Sequence, residues 1–303
     1  MPPQTPENTT CGFVGVVGLP NAGKSTLVNH MVGSKVTIVS HKVQTTRTRV
    51  LGITLHKQAQ IVLIDTPGIF KPKKTLEKAM VNAALSSLED ADILLHIVAV
   101  DQKEIVEKNK TVLKALKDRK NVVLVLNKVD RIPKPKLLDL AAALNDAHAY
   151  QATFMISALT GKGVDKLTDY LAENLPRQEW IFPEDQMSDM PMRLLASEIT
   201  REKIFHQLHK ELPYEIFVET ENWEEFDNGS IKISQVVHVQ KESQRAIVLG
   251  KRGARIKAIG QAAREELNDI MDCPVHLKIF VKVQENWAER VENYALFGLN
   301  IHP

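Results

Sequence analysis

The stretch Gly18-Leu19-Pro20-Asn21-Ala22-Gly23-Lys24-Ser25 has two glycines separated by four residues, then Lys-Ser. Such residues at this spacing can hold a polyphosphate. Glycines let the backbone curl so that several N–H groups face one anion. A lysine at this place reaches the β- and γ-phosphates, and the hydroxyl that follows it can ligate Mg²⁺. The apolar run Phe13-Val14-Gly15-Val16-Val17 leads in, and a helical pattern, Thr26 to Met31, leads out. Strand, glycine loop and helix are the context the chemistry needs, because the helix N-terminus adds its positive dipole end.

Two further clusters end apolar runs. Ile61-Val62-Leu63-Ile64 stops at Asp65-Thr66-Pro67-Gly68. An acidic residue at the tip of such a strand can hold Mg²⁺ through water, and Gly68 frees the backbone to approach a γ-phosphate. Val122-Val123-Leu124-Val125-Leu126 stops at Asn127-Lys128-Val129-Asp130. One carboxylate can accept parallel hydrogen bonds from a ring N–H and a neighbouring amino group. Guanine offers that pair and adenine does not, so Asp130 is the expected selector of the base. Asn127 can bond the other edge of the ring, the Lys128 stem can cover its face, and the Ala158 N–H can reach the guanine carbonyl.

These clusters must be positioned by a scaffold. The expected strands are the runs at Phe13–Val17, Val50–Leu55, Ile61–Ile64, Ile93–Val100, Val122–Leu126 and Thr153–Ile156. The expected helices are Thr26–Met31, Leu76–Leu88, Ile105–Leu116, Lys136–Ala147 and Val164–Leu175. Strands alternating with helices imply a mostly parallel sheet covered on both faces. Ligands then lie at the carboxyl ends of the strands, where every cluster named so far falls.

The length of 303 residues suggests two domains. Lys and Arg number 39 against 37 Asp and Glu, so the overall balance excludes neither an acidic nor a basic partner. Cys11 and Cys273 have no paired spacing, which argues against a zinc site or a disulfide framework. The first residues carry no targeting pattern, and no apolar run is long enough to span a bilayer. A cytoplasmic protein is expected.

The ordered set Gly18–Ser25, Thr46, Asp65–Gly68, Asn127–Asp130 and Ser157-Ala158-Leu159 resembles the five signature segments of a small GTPase domain. Asn21, with Gln44-Thr45-Thr46-Arg47 further on, resembles the bacterial subgroup that contains the Era GTPases and the tRNA-modifying GTPase MnmE. That resemblance implies a GTPase using GTP and Mg²⁺, with Ser25, Thr46 and Asp65 toward the metal. Thr45 is the alternative to Thr46. It implies catalytic parts at Asn21, Lys24, Thr46, Asp65 and Gly68. The nucleotide site would comprise Gly18 to Thr26, Asp65 to Ile69, Asn127, Lys128, Asp130 and Ser157 to Leu159. Ras-like proteins carry a glutamine where this chain has Ile69. Slow intrinsic hydrolysis is therefore expected, about 10⁻⁴ to 10⁻² per second. In relatives with the loop asparagine a K⁺ ion supplies positive charge, which Asn21 makes an expectation here.

Prolines 176, 183 and 191 break the pattern after Leu175. The expected division is a GTPase domain over 1–178, a linker over 179–191 and a second domain over 192–303. Trp180, Ile181 and Phe182 should pack on one domain. The expected elements beyond are a helix over Met192–Leu212, alternating strands over Tyr214–Glu221 and Ile231–Gln240, and a short strand Ala246–Leu249. After them come a long helix, Ala254–Met271, bent near Gly260, a strand Val275–Val283, and a last helical piece near Trp287–Phe297. Between the short strand and the long helix stands Gly250-Lys251-Arg252-Gly253. Between Lys241 and Gly260 there are six basic residues and one acid.

This α+β unit resembles a KH domain, which clamps about four nucleotides of single-stranded RNA at its Gly-x-x-Gly loop. Gly250, Lys251, Arg252, Gly253, Arg255 and Lys257 are the expected RNA contacts. The whole order, with Leu212-Pro213-Tyr214 and Pro274-Val275-His276-Leu277 at the strand entries, resembles the Era family. That implies an assembly factor for the small ribosomal subunit, binding near the 3′ end of its ribosomal RNA. It also implies no DNA partner, a monomer, and a peripheral membrane association reported within the family. The alternative is an RNA-modification or interaction module driven by GTP. His206 and His209 lie three apart without a third ligand, and are expected on the surface rather than at a metal.

Overall fold

The computed structural model describes residues 9–40, 45–72, 74–208, 216–285 and 287. Its chain forms two compact units. Among the described residues, one holds those up to Thr37 and Thr46–Asp189; the other holds those of Ile38–Thr45 and of Met190–Phe297.

The first unit contains strands β1 (Thr10–Gly18), β2 (Val50–His56), β3 (Ala59–Asp65), β4 (Ile93–Ala99), β5 (Val122–Asn127) and β6 (Ala152–Ile156). They form one sheet in the order β2-β3-β1-β4-β5-β6. All pairs are parallel except β2 with β3. Helices α1 (Lys24–Val32), α2 (Thr75–Ser86), α3 (Ile105–Leu116), α4 (Lys134–Ala147) and α5 (Val164–Asn174) complete it. The central strands are apolar along their length because both faces are covered: every residue of β3, β4 and β5 is buried. The strand order reverses beside β1, and a crevice opens outside the carboxyl ends at such a switch point. Register aligns those ends, with Val16 opposite Asp65, Ala99 opposite Asn127, and Asn127 opposite Ile156. Trp180 and Phe182 pack on Cys11, Leu51, Ile53, Val62 and Ile64. Ile181 stays 49% exposed.

The second unit contains α6 (Met192–Gln207), β7 (Phe217–Glu225), β8 (Ile231–Val239), α7 (Glu242–Leu249), α8 (Ala254–Met271) and β9 (Val275–Val283). Its sheet runs β7-β8-β9, antiparallel then parallel. Leu195, Ile199, Ile204 and Leu208 of the α6 stretch join Ile233, Val237, Val248, Ile259 and Leu267 in its core. Residues 195–202 are buried on every side of α6, polar ones included. The reason is the segment beginning at Ile38, whose side chain joins the same core. The Val39 N–H donates to Glu202 at 2.8 Å. Buried Arg201 pairs with Glu198 and donates to the Thr45 carbonyl at 2.5 Å.

One expectation changes here. Ala246–Leu249 is the end of helix α7, not a strand. The Gln244 carboxamide accepts from the Gln240 and Lys241 N–H groups at 2.7 and 3.2 Å, closing the first turn. Of the apolar run only Val248 is buried, and Ile247 is 46% exposed; four apolar residues without alternation fit a short helix as well as a strand. Helix α8 runs unbroken through Gly260. The expected contributions of residues 209–215, including Leu212-Pro213-Tyr214 and His209, and of 288–297 lie outside the described residues, as does Gln44. His206 is exposed. Among the described residues no helix is long and apolar enough to cross a membrane.

One buried polar network in the first unit carries a pH signature. His96, mid-strand in β4, pairs its ring nitrogens with the Tyr150 hydroxyl at 2.7 Å and the Asn109 side chain at 3.1 Å. Burial pulls its pKa down from 6.5 to about 4, opposed by the Asn109 hydrogen bond. The unfolded chain therefore binds a proton that the folded chain refuses between those values. The stabilisation is complete above the unfolded value and is lost as pH falls through the folded one. Urea unfolding of this unit should lose about 3 kcal/mol between pH 6.5 and 4 from this residue. His96→Gln should flatten that part of the pH profile; an unchanged profile would assign the acid sensitivity elsewhere.

Candidate functional site

The glycine loop leaves β1 under close steric limits. A Cβ on Gly18 would stand 2.3 Å from the Ile97 carbonyl oxygen, and one on Gly23 would stand 2.2 Å from the Asn127 Nδ2. Gly23 also has φ 96°, and exposed Asn21 has φ 61°; asparagine tolerates this left-handed region better than most residues. Leu19 and Pro20 are half-buried, Leu19 packing toward Val17 and Ile69, Ala22 is buried, and Ser25 and Thr26 sit in the first turn of α1. The Lys24 ammonium folds back to donate to the Gly18 and Leu19 carbonyls at 3.3 and 3.1 Å. Burial pulls its pKa down to about 8, with the Asp65 charge opposing.

Asp65, at the tip of β3, gathers hydroxyls. Its Oδ2 accepts from Ser25 at 2.7 Å, Thr37 at 3.0 Å and Thr46 at 3.3 Å. Ser25 and Thr46 are themselves 3.0 Å apart. Asp65 Oδ1 is buried with no hydrogen-bond partner among the described residues. Burial pushes this carboxyl above the usual range, while Lys24 and the hydroxyls hold it down. Hard oxygen donors converging on a carboxylate with one unpaired oxygen fit Mg²⁺. Of the two candidate threonines, Thr46 stands at this cluster. Thr45 instead pairs its hydroxyl with Ser40 at 2.9 Å.

The segment after Asp65 is fastened to the glycine loop. Thr66 donates to the Val16 carbonyl at 2.9 Å, and the Ile69 N–H to the Gly18 carbonyl at 3.1 Å. Pro67 is buried. A Cβ on Gly68 would meet the Pro20 nitrogen at 2.7 Å. Ile69 is not brought to the phosphate side. Its side chain is buried with Val17, Ala84, Leu88 and Leu94, which explains why an apolar residue occupies this place.

Asn127 ties three loops together. Its Nδ2 donates to the Ala22 carbonyl at 2.8 Å, while its Oδ1 accepts from the Lys128 N–H at 2.8 Å and the Ala158 N–H at 2.9 Å. The expected base contacts of Asn127 and Ala158 thus involve groups that already brace the site. Lys128, at φ 68°, extends to Asp101 at 3.2 Å, and Arg131 reaches the same carboxylate at 2.9 Å. Asp130 is exposed on the turn between them, Ser157 is buried, and Leu159 is 74% exposed. Thr37 and Asp101 were not anticipated from the sequence. A threonine before a basic stretch and an aspartate after a buried strand carry no distinguishing spacing.

In the second unit the Gly-x-x-Gly loop joins α7 to α8. Gly250 and Gly253 have φ 71° and 77°, and Arg252 between them has φ 53°. Lys251, Arg252 and Lys257 are exposed. Arg255 is turned back and donates to the Ile247 carbonyl, closing the end of α7. Next to the loop an open groove of about 350 Å³ lies between α8 and β9. Its walls are Ile256, Lys257, Gly260 and Gln261 with Arg264, Leu277 and Ile279. Only Lys257 of these was a sequence candidate. The alternation of β9 was the available signal, since Leu277 and Ile279 are half-buried beside exposed neighbours.

The low Lys24 pKa makes a calorimetric prediction. A nucleoside triphosphate brings negative charge to this ammonium and raises its pKa, so binding near pH 8 should take up about half a proton. Titrations in two buffers of different ionisation heat measure it, and Lys24→Ala should abolish the difference.

A family model described as 50S ribosome-binding GTPase matches residues 13–128, and a KH domain model matches residues 211–288. GTPase Era of Sinorhizobium medicae is 54% identical over 293 residues, covering 96% of this chain and 94% of that protein. GTPase Era of Brucella suis is 55% identical over 293 residues, covering 96% of this chain and 94% of that protein. Among solved structures, a variant of Aquifex aeolicus Era bound to GDP.AlF4- superposes with a TM-score of 0.89 at 39% identity, covering 96% of this chain and 99% of that one. Era in complex with MgGDPNP and nucleotides 1506–1542 of 16S ribosomal RNA gives the same TM-score, 0.89, and the same coverage. With its mostly parallel GTPase sheet followed by a KH unit, the chain belongs to the Era family of GTPases.

Proposed function

We propose that this chain is a GTP-operated RNA-binding switch that serves assembly of the small ribosomal subunit, its KH unit binding near the 3′ end of the small-subunit ribosomal RNA. The observation that carries the reading is a basic Gly-x-x-Gly loop leading into a groove, on a chain whose other unit holds a phosphate loop. The relative bound to MgGDPNP and a 16S ribosomal RNA fragment supports both halves.

In the nucleotide site, Asp130 selects guanine, and Lys24 with the loop N–H groups receives the phosphates. Ser25, Thr46 and Asp65 would hold Mg²⁺, which offsets charge developing on the phosphate oxygens. The buried Ile69 leaves no side chain at that place to orient water, consistent with slow intrinsic turnover. Exposed Asn21 is the residue at which a K⁺ ion would act. The expected monomeric state and the domain boundaries at 178 and 192 belong to this proposal.

The division of the chain supports a coupling between nucleotide and RNA. Thr45 and Thr46 are consecutive but belong to different compact units. Thr46 stands at Ser25 and Asp65, whereas the Thr45 carbonyl is held by Arg201. If Ser25, Thr46 and Asp65 hold Mg²⁺, Thr46 would be fixed at the nucleotide while the residue before it stays bonded to Arg201. GTP and GDP can shift RNA affinity only by favouring different states.

Two measurements test this reading. Asp130→Asn should weaken GTP binding and admit xanthosine triphosphate, because xanthine has a carbonyl where guanine has an amine; full GTP preference in the variant would remove Asp130 as selector. RNA affinity should be higher with a non-hydrolysable GTP analogue than with GDP, by about 5- to 150-fold. Thr46→Ala should shrink that ratio and leave the GDP-state affinity intact. Equal affinities at one fixed salt concentration would refute the switch.

A further inference from the structure

Helix α8 carries a glycine at a place where the protein itself does not require one. Glycine within a helix is destabilising relative to alanine, so its position calls for a reason. At Gly12, Gly15 and Gly52 the reason is packing: a Cβ would meet a neighbouring side chain at 2.7 to 2.8 Å. At Gly250 and Gly253 a positive φ supplies one. Gly260 has neither. It lies inside α8 with helical geometry. A Cβ there would meet only the Ile279 Cδ1 within 4 Å, at an ordinary contact distance of 3.5 Å. What sets Gly260 apart is its place in the wall of the groove between α8 and β9.

The groove has two chemistries. Half-buried Ile256, Leu277 and Ile279 make an apolar floor, and exposed Lys257, Gln261 and Arg264 make a polar, basic rim. Lys251 and Arg252, in the loop that precedes α8, are exposed as well. An apolar floor suits the face of an unstacked base, and a cationic rim suits the phosphates on either side of it. A neutral apolar peptide would leave the rim charges unanswered.

We propose that Gly260 is a specificity-determining residue of this groove: its missing side chain leaves the room that lets one base of a single-stranded RNA lie against the α8 backbone over Leu277 and Ile279. The proposal rests on the RNA-binding reading above. It assigns Gly260 to shape and the Lys251–Arg252 pair to charge, and those roles have different signatures. Loss of a phosphate contact lowers the salt dependence of binding, whereas loss of a base contact does not.

The experiment uses the full chain with GTP analogue bound. Its probes are a fluorescently labelled ten-nucleotide RNA of randomised sequence and the A, C and U homopolymers of that length. Gly260→Ala should melt at the same or a higher temperature, lose at least tenfold in affinity for the tightest of these probes, and keep the wild-type salt slope. The control, Lys251→Gln with Arg252→Gln, should lose affinity with a shallower slope, by about one for each phosphate contact removed. Wild-type affinity in Gly260→Ala beside an impaired control would overturn the role of Gly260 and leave the RNA reading standing. A lowered melting temperature would make the glycine structural, and a shallower slope would put a phosphate there; either overturns the assignment. Equally weak binding by wild type and control would end the RNA reading itself.

Discussion

The proposed nucleotide site depends on one buried carboxamide. Asn127 stands at the end of β5 with 2% of its surface exposed, and its hydrogen bonds reach the glycine loop after β1 and the loop after β6. Without it, the Ala22 carbonyl and the Ala158 N–H would each lose a partner in a buried setting, at about 1–3 kcal/mol apiece. The same side chain explains Gly23, because any Cβ there would collide with its nitrogen. Loops that follow separate strands thus behave as one surface.

Around that brace the site stores charge. Lys24 and Asp65 are both buried, and burial works against the ionised form of each. Each opposes the shift of the other, and the hydroxyls of Ser25, Thr37 and Thr46 supplement Lys24. Such an arrangement is costly in an empty site and favourable when a polyanion and a cation enter together.

The second unit solves a different problem with different means. Its loop needs a backbone excursion rather than a buried charge, and the positive φ values at Gly250, Arg252 and Gly253 supply it. The apolar floor beside it is left half-covered by the alternation of β9. Arg255, basic and well placed in sequence, also donates to the Ile247 carbonyl near the end of α7. Proximity to a motif does not decide what a long side chain does.

The sequence alone was enough for the α/β order and the strand-end clusters, because each rests on short-range rules. Buried parallel strands must be apolar throughout, and phosphate loops must have glycine where backbone approaches an anion. Seen only in tertiary structure were the partners. Ile69 reads as a missing catalytic glutamine until its burial beside Val17 and Leu94 makes it a core residue. Asn127 reads as a base contact, and the fold shows its carboxamide also bracing three segments. The polar stretch after Val39 gives no sign that Arg201, more than 150 residues away, holds the Thr45 carbonyl. Ala246–Leu249 could be strand or helix, since four apolar residues satisfy both and only the Gln244 cap and the burial of Val248 decide. Local chemistry is written in neighbouring residues; which groups remain available for a ligand depends on contacts between residues far apart in the chain.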